Sequence, residues 1–200
     1  MRCKGTVEIS LTEANCYRIG RYRPCFGGAA VCLSLQELMK KRVMCVFGTR
    51  PEAVKLAPVV HALKESAELE PVVAITAQHR EMLDQMMKWF DVKADYDLDL
   101  MKHGQTLAEL TSRVVLGMDD LRSRDRPDML LVQGDTVTVM AASLAAFYHK
   151  IPVGHVEAGL RTNDRYNPFP EEMSRRQTGR IATMHFAPTD LAVKNLAAEG

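Results

Sequence analysis

Five short apolar runs, each separated from the next by a stretch with helical spacing, constrain this 200-residue chain more than any other feature. The runs are Val43–Phe47, Pro71–Thr76, Asp128–Gln133, Pro152–Val156 and Met184–Ala187. Between them, Ala53, Leu56, Ala57, Val60 and Leu63 recur on one helical face, as do Met82, Met86 and Phe90, and then Leu107, Leu110, Val114 and Leu121. Thr136 to Tyr148 is alanine-rich and reads as a further, buried helix. A strand that is apolar throughout must be covered on both faces, and the intervening helices supply that cover. The pattern predicts an α/β fold: a doubly wound, Rossmann-like parallel sheet with right-handed crossovers.

The charge balance, a formal net +1, shows no basic stripe and argues against a nucleic-acid platform. No apolar run approaches the roughly 18–20 residues needed to span a bilayer. The cysteines, Cys3, Cys16, Cys25, Cys32 and Cys45, are odd in number and form no CxxC pair. Neither a disulfide framework nor a zinc site fits those spacings, so reduced thiols in a cytoplasmic, metal-free protein are expected. The chain changes character near residue 39. Residues 1–38 hold most of the cysteines and no convincing period, and they read as an upstream extension. That extension either lies outside the working protein or is genuine and poorly ordered. Its start lacks the continuous apolar core of a signal peptide. Residues 39–200 form the domain.

Ligands of open α/β sheets bind beyond the carboxyl ends of the strands, and the polar clusters of this chain fall there. After the first strand, Phe47-Gly48-Thr49-Arg50-Pro51-Glu52-Ala53-Val54-Lys55 reads as a tight turn into a helix. Gly48 frees the backbone to turn, Pro51 suits the first helical turn, and Thr49 and Glu52 have capping-box spacing. Such a start favours an anion, and Arg50 and Lys55 add cations suited to a phosphate or diphosphate. No G-x-G-x-x-G follows the strand, so the usual dinucleotide fingerprint is absent.

Gln133-Gly134-Asp135-Thr136 ends another strand, where Asp135 is either a helix cap or a functional acid. Glu157 finishes the strand after that and must find a partner or a function; Arg161 is an available ion-pair partner. His155 lies at the same strand end and could donate a hydrogen bond into the crevice. Glu171 and Glu172 sit at a helix N-terminus, where acidic residues are favoured anyway, in a helix that also carries Arg175 and Arg176. Several carboxylates converging beside a cationic cradle suit acid/base chemistry on a phosphorylated substrate.

The segments Phe47–Glu52, Thr76–Gln85, Gly134–Thr136 and Gly154–Thr162 together resemble the bacterial non-hydrolysing UDP-N-acetylglucosamine 2-epimerases. Pro170-Glu171-Glu172 and His185–Thr189 match in order as well, so the resemblance runs from about Met39 to Gly200. It implies the N-terminal domain of a two-domain fold of the glycosyltransferase-B (GT-B) type, with the active site in the cleft between the domains. The implied reaction interconverts UDP-N-acetylglucosamine and UDP-N-acetylmannosamine by eliminating UDP and adding it back, with no cofactor.

By motif, Asp135, Glu157 and Glu171 would be the catalytic carboxylates, and Arg50, Lys55, His155 and Arg161 would contact the substrate. Gln78, His79 and Arg80 match a segment that in some members holds a second, regulatory nucleotide sugar. Glu81 departs from the glutamine some of those members carry there. A homodimer at full length is also implied. The second domain would follow residue 200, so the 200-residue chain alone is expected to have negligible epimerase activity. The competing readings are the hydrolysing relative, which releases free N-acetylmannosamine, and a non-catalytic nucleotide-sugar binding domain.

Overall fold

A computed structural model describes residues 40–76, 80–102 and 104–200. The expectations for residues 1–38, with their four cysteines, and for Gln78 and His79 lie outside these residues.

Among the described residues six parallel strands form a sheet: β1 (Lys41–Phe47), β2 (Leu69–Ile75), β3 (Tyr96–Asp97), β4 (Met129–Gln133), β5 (Val153–Val156) and β6 (Met184–Phe186). The helices are α1 (Arg50–Glu65), α2 (Arg80–Trp89), α3 (Leu107–Arg124), α4 (Val137–Tyr148), α5 (Glu171–Ile181) and α6 (Asp190–Glu199). The strand order is β3-β2-β1-β4-β5-β6. The first described strand, β1, therefore lies in the middle of the sheet; β2 and β3 build outward to one edge, and β4, β5 and β6 build the other half. The order reverses between β1 and β4, which pair from Val43↔Met129 to Val46↔Val132. A crevice opens at the carboxyl end of such a switch point.

The doubly covered sheet appears as two cores. Successive residues of β1 point to opposite faces. Val43, Cys45 and Phe47 pack with Leu56 and Val60 of α1 and Leu83 of α2, while Met44 and Val46 pack with Val114 of α3 and Ala142 of α4. Burial pushes the Cys45 thiol up to about 12, so this cysteine is an inert core residue. Helix faces follow the expected periodicity except at two first turns. Met82 and Leu107 are exposed, and Leu83 and Leu110 begin the buried stripes instead. Strand β3 lies outside the apolar pattern, because it is two residues of an acidic edge segment.

Gly159 makes the closest approach in the second half of the domain. Its φ is +91°, and a Cβ there would lie 2.4 Å from the Ala192 carbonyl oxygen of α6. Asn195 of α6 donates to the Gly159 carbonyl at 2.9 Å. The substitution Gly159→Ala combines a left-handed backbone with a backbone clash, and it is expected to cost about 1–3 kcal/mol. Thermal denaturation checks this; an unchanged midpoint would mean that α6 does not seat against this turn.

Candidate active site

Three strand ends meet in one crevice of about 370 Å³, lined by Thr49, Glu52 and Lys55 after β1, Gln133, Asp135 and Thr136 after β4, and Glu157 after β5. The opening turn is built around Glu52. This carboxylate is almost fully buried, and its Oε2 accepts from the Gly48 and Thr49 N–H groups at 2.7 and 3.0 Å. Its Oε1 accepts from the Thr136 hydroxyl at 2.9 Å, which joins the β1 turn to the β4 turn. Burial pushes the Glu52 carboxyl up, and these donors pull it back toward the charged form. The spacing of Thr49 and Glu52 announced a helix cap; it did not announce that the same carboxylate ties two loops together.

Lys55 Nζ donates to Glu157 Oε2 at 2.6 Å, and Gln133 Nε2 donates to the same oxygen. Glu157 is thus partnered by Lys55, not by Arg161. Its backbone φ is +64°, a left-handed conformation seldom taken by a residue with a side chain. Lys55 has further N–H donors to offer an anion, but part of its charge is already engaged with a carboxylate.

Asp135 sits across the crevice, with Arg175 Nη1 at 3.4 Å. Burial pushes its carboxyl up; Arg175 opposes that, and the charges of Glu171 and Glu157 add to it. Asp135 does not cap α4, because the Thr136 hydroxyl accepts from Val139 N in that role. Among the described residues the one side-chain partner of Asp135 is Arg175. Glu171, half-buried at the start of α5, is close enough to act on Asp135 electrostatically. The three expected carboxylates therefore share one neighbourhood.

Two expected substrate contacts are placed otherwise. His155 is 1% exposed, and its Nε2–H donates to the Gly134 carbonyl at 2.7 Å. Burial lowers its pKa to about 4, so it is a neutral scaffold under the crevice floor and not a donor into the crevice. The Arg161 side chain is 2% exposed and forms a two-pronged pair with Glu199 of α6, at 2.7 Å on each prong. Arg161 anchors α6. Arg50 is exposed at the first residue of α1 and makes no ion pair among the described residues. Arg80, the described member of the expected regulatory segment, pairs with Asp97 at 2.7 Å and Asp99 at 3.2 Å.

One cluster escaped the sequence reading, although its spacing was visible. Glu172 is fully buried and accepts from Arg175 Nε, Arg176 Nε and Thr162 N at 2.8, 2.9 and 3.1 Å. Arg175 and Arg176 lie three and four residues further along α5, the separations that place side chains together on a helix. Through Arg175 this hub reaches Asp135, so the second carboxylate of the Glu171-Glu172 pair supports the site from behind.

The UDP-N-acetylglucosamine 2-epimerase family model matches residues 61–200. The chain is 56% identical over 162 residues to UDP-N-acetylglucosamine 2-epimerase of Bacillus subtilis, covering 81% of this chain and 43% of that protein. It is 54% identical over 158 residues to the enzyme of the same name from Escherichia coli K12, covering 79% and 42%. The solved structure of UDP-GlcNAc 2-epimerase from Neisseria meningitidis bound to UDP-GlcNAc superimposes with a TM-score of 0.76 at 53% identity. That match covers 79% of this chain and 43% of that one. The chain thus spans about two-fifths of the length of the curated relatives it matches.

Proposed function

This chain belongs to the UDP-N-acetylglucosamine 2-epimerase family, and from that premise we propose that its crevice is one wall of a site that interconverts UDP-N-acetylglucosamine and UDP-N-acetylmannosamine without hydrolysis. The observation that carries the reading is that Asp135 and Glu157 line one crevice at the switch point of the sheet, beside Lys55, with Glu171 at the start of α5 near enough for its charge to act on Asp135. The relative from Neisseria meningitidis, structurally similar over this domain, binds UDP-GlcNAc.

In the proposed sequence a carboxylate takes the proton from C2 of the sugar. The C–H electron pair becomes the C1=C2 double bond, and the C1–O bond breaks with its pair leaving on the UDP oxygen. Return of a proton to the opposite face of C2, with UDP adding back at C1, inverts the centre. Glu157 accepts hydrogen bonds on one oxygen and lines the crevice with the carboxylate that suits the base. Burial favours the protonated form of Asp135, which suits the partner that gives a proton back. Lys55, and Arg50 at the helix start, form the diphosphate side.

The proposal includes a cytoplasmic setting and a homodimer. No described helix is long and apolar enough to cross a membrane, and α4 leaves Phe147 and Tyr148 exposed where a second copy could cover them.

The test is turnover in deuterium oxide by a polypeptide completed to the length of its relatives. UDP-N-acetylmannosamine carrying one deuterium at C2 is expected. Free N-acetylmannosamine as the main product would assign hydrolysis, and product without deuterium would remove the carboxylates from the proton transfer.

A further inference from the structure

Resting on the epimerase reading, we propose that Gln133 is a positioning residue: with Lys55 it fixes one oxygen of Glu157, so that the other oxygen is the one presented to the sugar. Gln133 ends β4 and is 2% exposed. A buried primary amide is costly without a partner, and Nε2 finds one in Glu157 Oε2. The reverse orientation of the amide would set its oxygen against a carboxylate oxygen, two acceptors with nothing to share. The chemistry therefore selects the donor.

Lys55 Nζ reaches the same Oε2 at 2.6 Å. Among the described residues no hydrogen bond is made to Glu157 Oε1, although the side chain is partly buried and lines the crevice. One oxygen is held from two sides, and the other has no partner among the described residues, in a side chain that lines the crevice.

The backbone shows why such a clamp is needed. The last rung between β4 and β5 pairs Gln133 with Val156, so Glu157 is the first residue beyond the sheet. Its φ of +64° turns the chain out of the ladder there. Beyond that turn the backbone is tied to the sheet again at Ala158, whose N–H donates to the Phe186 carbonyl at 3.2 Å, but that backbone bond does not fix where the Glu157 side chain points. Gln133, seated on the final residue of a central strand, supplies a rigid reference for it. A group on a strand orients a reacting neighbour more closely than one on a loop.

The test has two arms, only one of which depends on activity. In the ¹⁵N-labelled 200-residue chain, the Gln133 side-chain amide is expected to exchange slowly and to lose that protection in Glu157→Ala. Protection unchanged by Glu157→Ala overturns the clamp. In a polypeptide completed to the length of its relatives, Gln133→Met is expected to lower kcat by roughly 10–100-fold, as loss of an orienting partner does. KM should stay within roughly threefold. Gln133→His, which keeps an N–H donor, is expected to recover most of the loss. An unchanged kcat in Gln133→Met, or a rise in KM alone, also overturns the proposal. If the wild-type polypeptide does not epimerise at all, the functional reading fails while the amide measurement still decides whether Gln133 holds Glu157.

Discussion

Glu157→Gln, in a polypeptide of full family length, is expected to lower turnover by roughly 10²–10⁴-fold, the usual worth of a positioned acid or base. The replacement keeps the shape of the side chain and removes its ability to take a proton. Structurally it should be mild. Lys55 loses its counter-ion, but the Lys55 side chain is 46% exposed and stays hydrated, so little stability rides on that pair. KM should change little, because the sugar and diphosphate contacts remain. Incorporation of deuterium at C2 should fall with turnover. Asp135→Asn is expected to fall in the same range, since it removes the partner carboxyl across the crevice. More than a tenth of normal turnover in Glu157→Gln would take Glu157 out of the chemistry and leave the binding-domain reading in its place.

These carboxylates were legible as a group because a strand covered on both faces must end where its polar residues begin. Asp135 follows the run that ends at Gln133, and Glu157 follows the run that ends at Val156. The sheet order then sets the end of β4 beside β1 and the end of β5 beside β4. What the sequence hid was the pairing. Glu157 meets Lys55 across 102 residues, and Arg161 meets Glu199 across 38. A nearby opposite charge is a poor guide when the fold, and not the spacing, selects partners.

Arg161 and His155 looked available because they stand within a few residues of Glu157. Both are instead consumed by backbone and helix anchoring. Helical spacing identified the buried faces but overran them at Met82 and Leu107, where the first turn of each helix faces solvent. Strand β3 carried no signal, since two residues at an acidic edge make no apolar run. The cations at the opening turn share one consequence of this pairing. Lys55 serves a carboxylate first, so the proposed diphosphate leans more on Arg50 and on the helix start than charge counting implies.

Glu172→Ala is expected to destabilise the domain by about 3–5 kcal/mol. The Glu172 side chain is wholly removed from solvent, and Arg175, 9% exposed at its side chain, would be left buried with only the 3.4 Å contact to Asp135. Arg176 would lose less, because a third of its side chain is already in water. At about 2–4 °C per kcal/mol for a domain of this size, the melting midpoint should fall by roughly 10 °C. Burial opposes the charge of Glu172, yet the Arg176, Thr162 and Arg175 donors outweigh it and hold the carboxyl down at about 2, against an ordinary 4.5. A depressed folded-state value means that the stabilisation is complete above pH 4.5 and fades as the pH falls toward 2. The gap between wild type and Glu172→Ala should therefore be widest at neutral pH and close in acid. Denaturant unfolding of both proteins across that range measures it. A gap below about 1 kcal/mol at pH 7, within the range of an ordinary surface ion pair, would show that the hub behind Asp135 carries no such weight. Asp135 would then owe its orientation to the β4 turn alone.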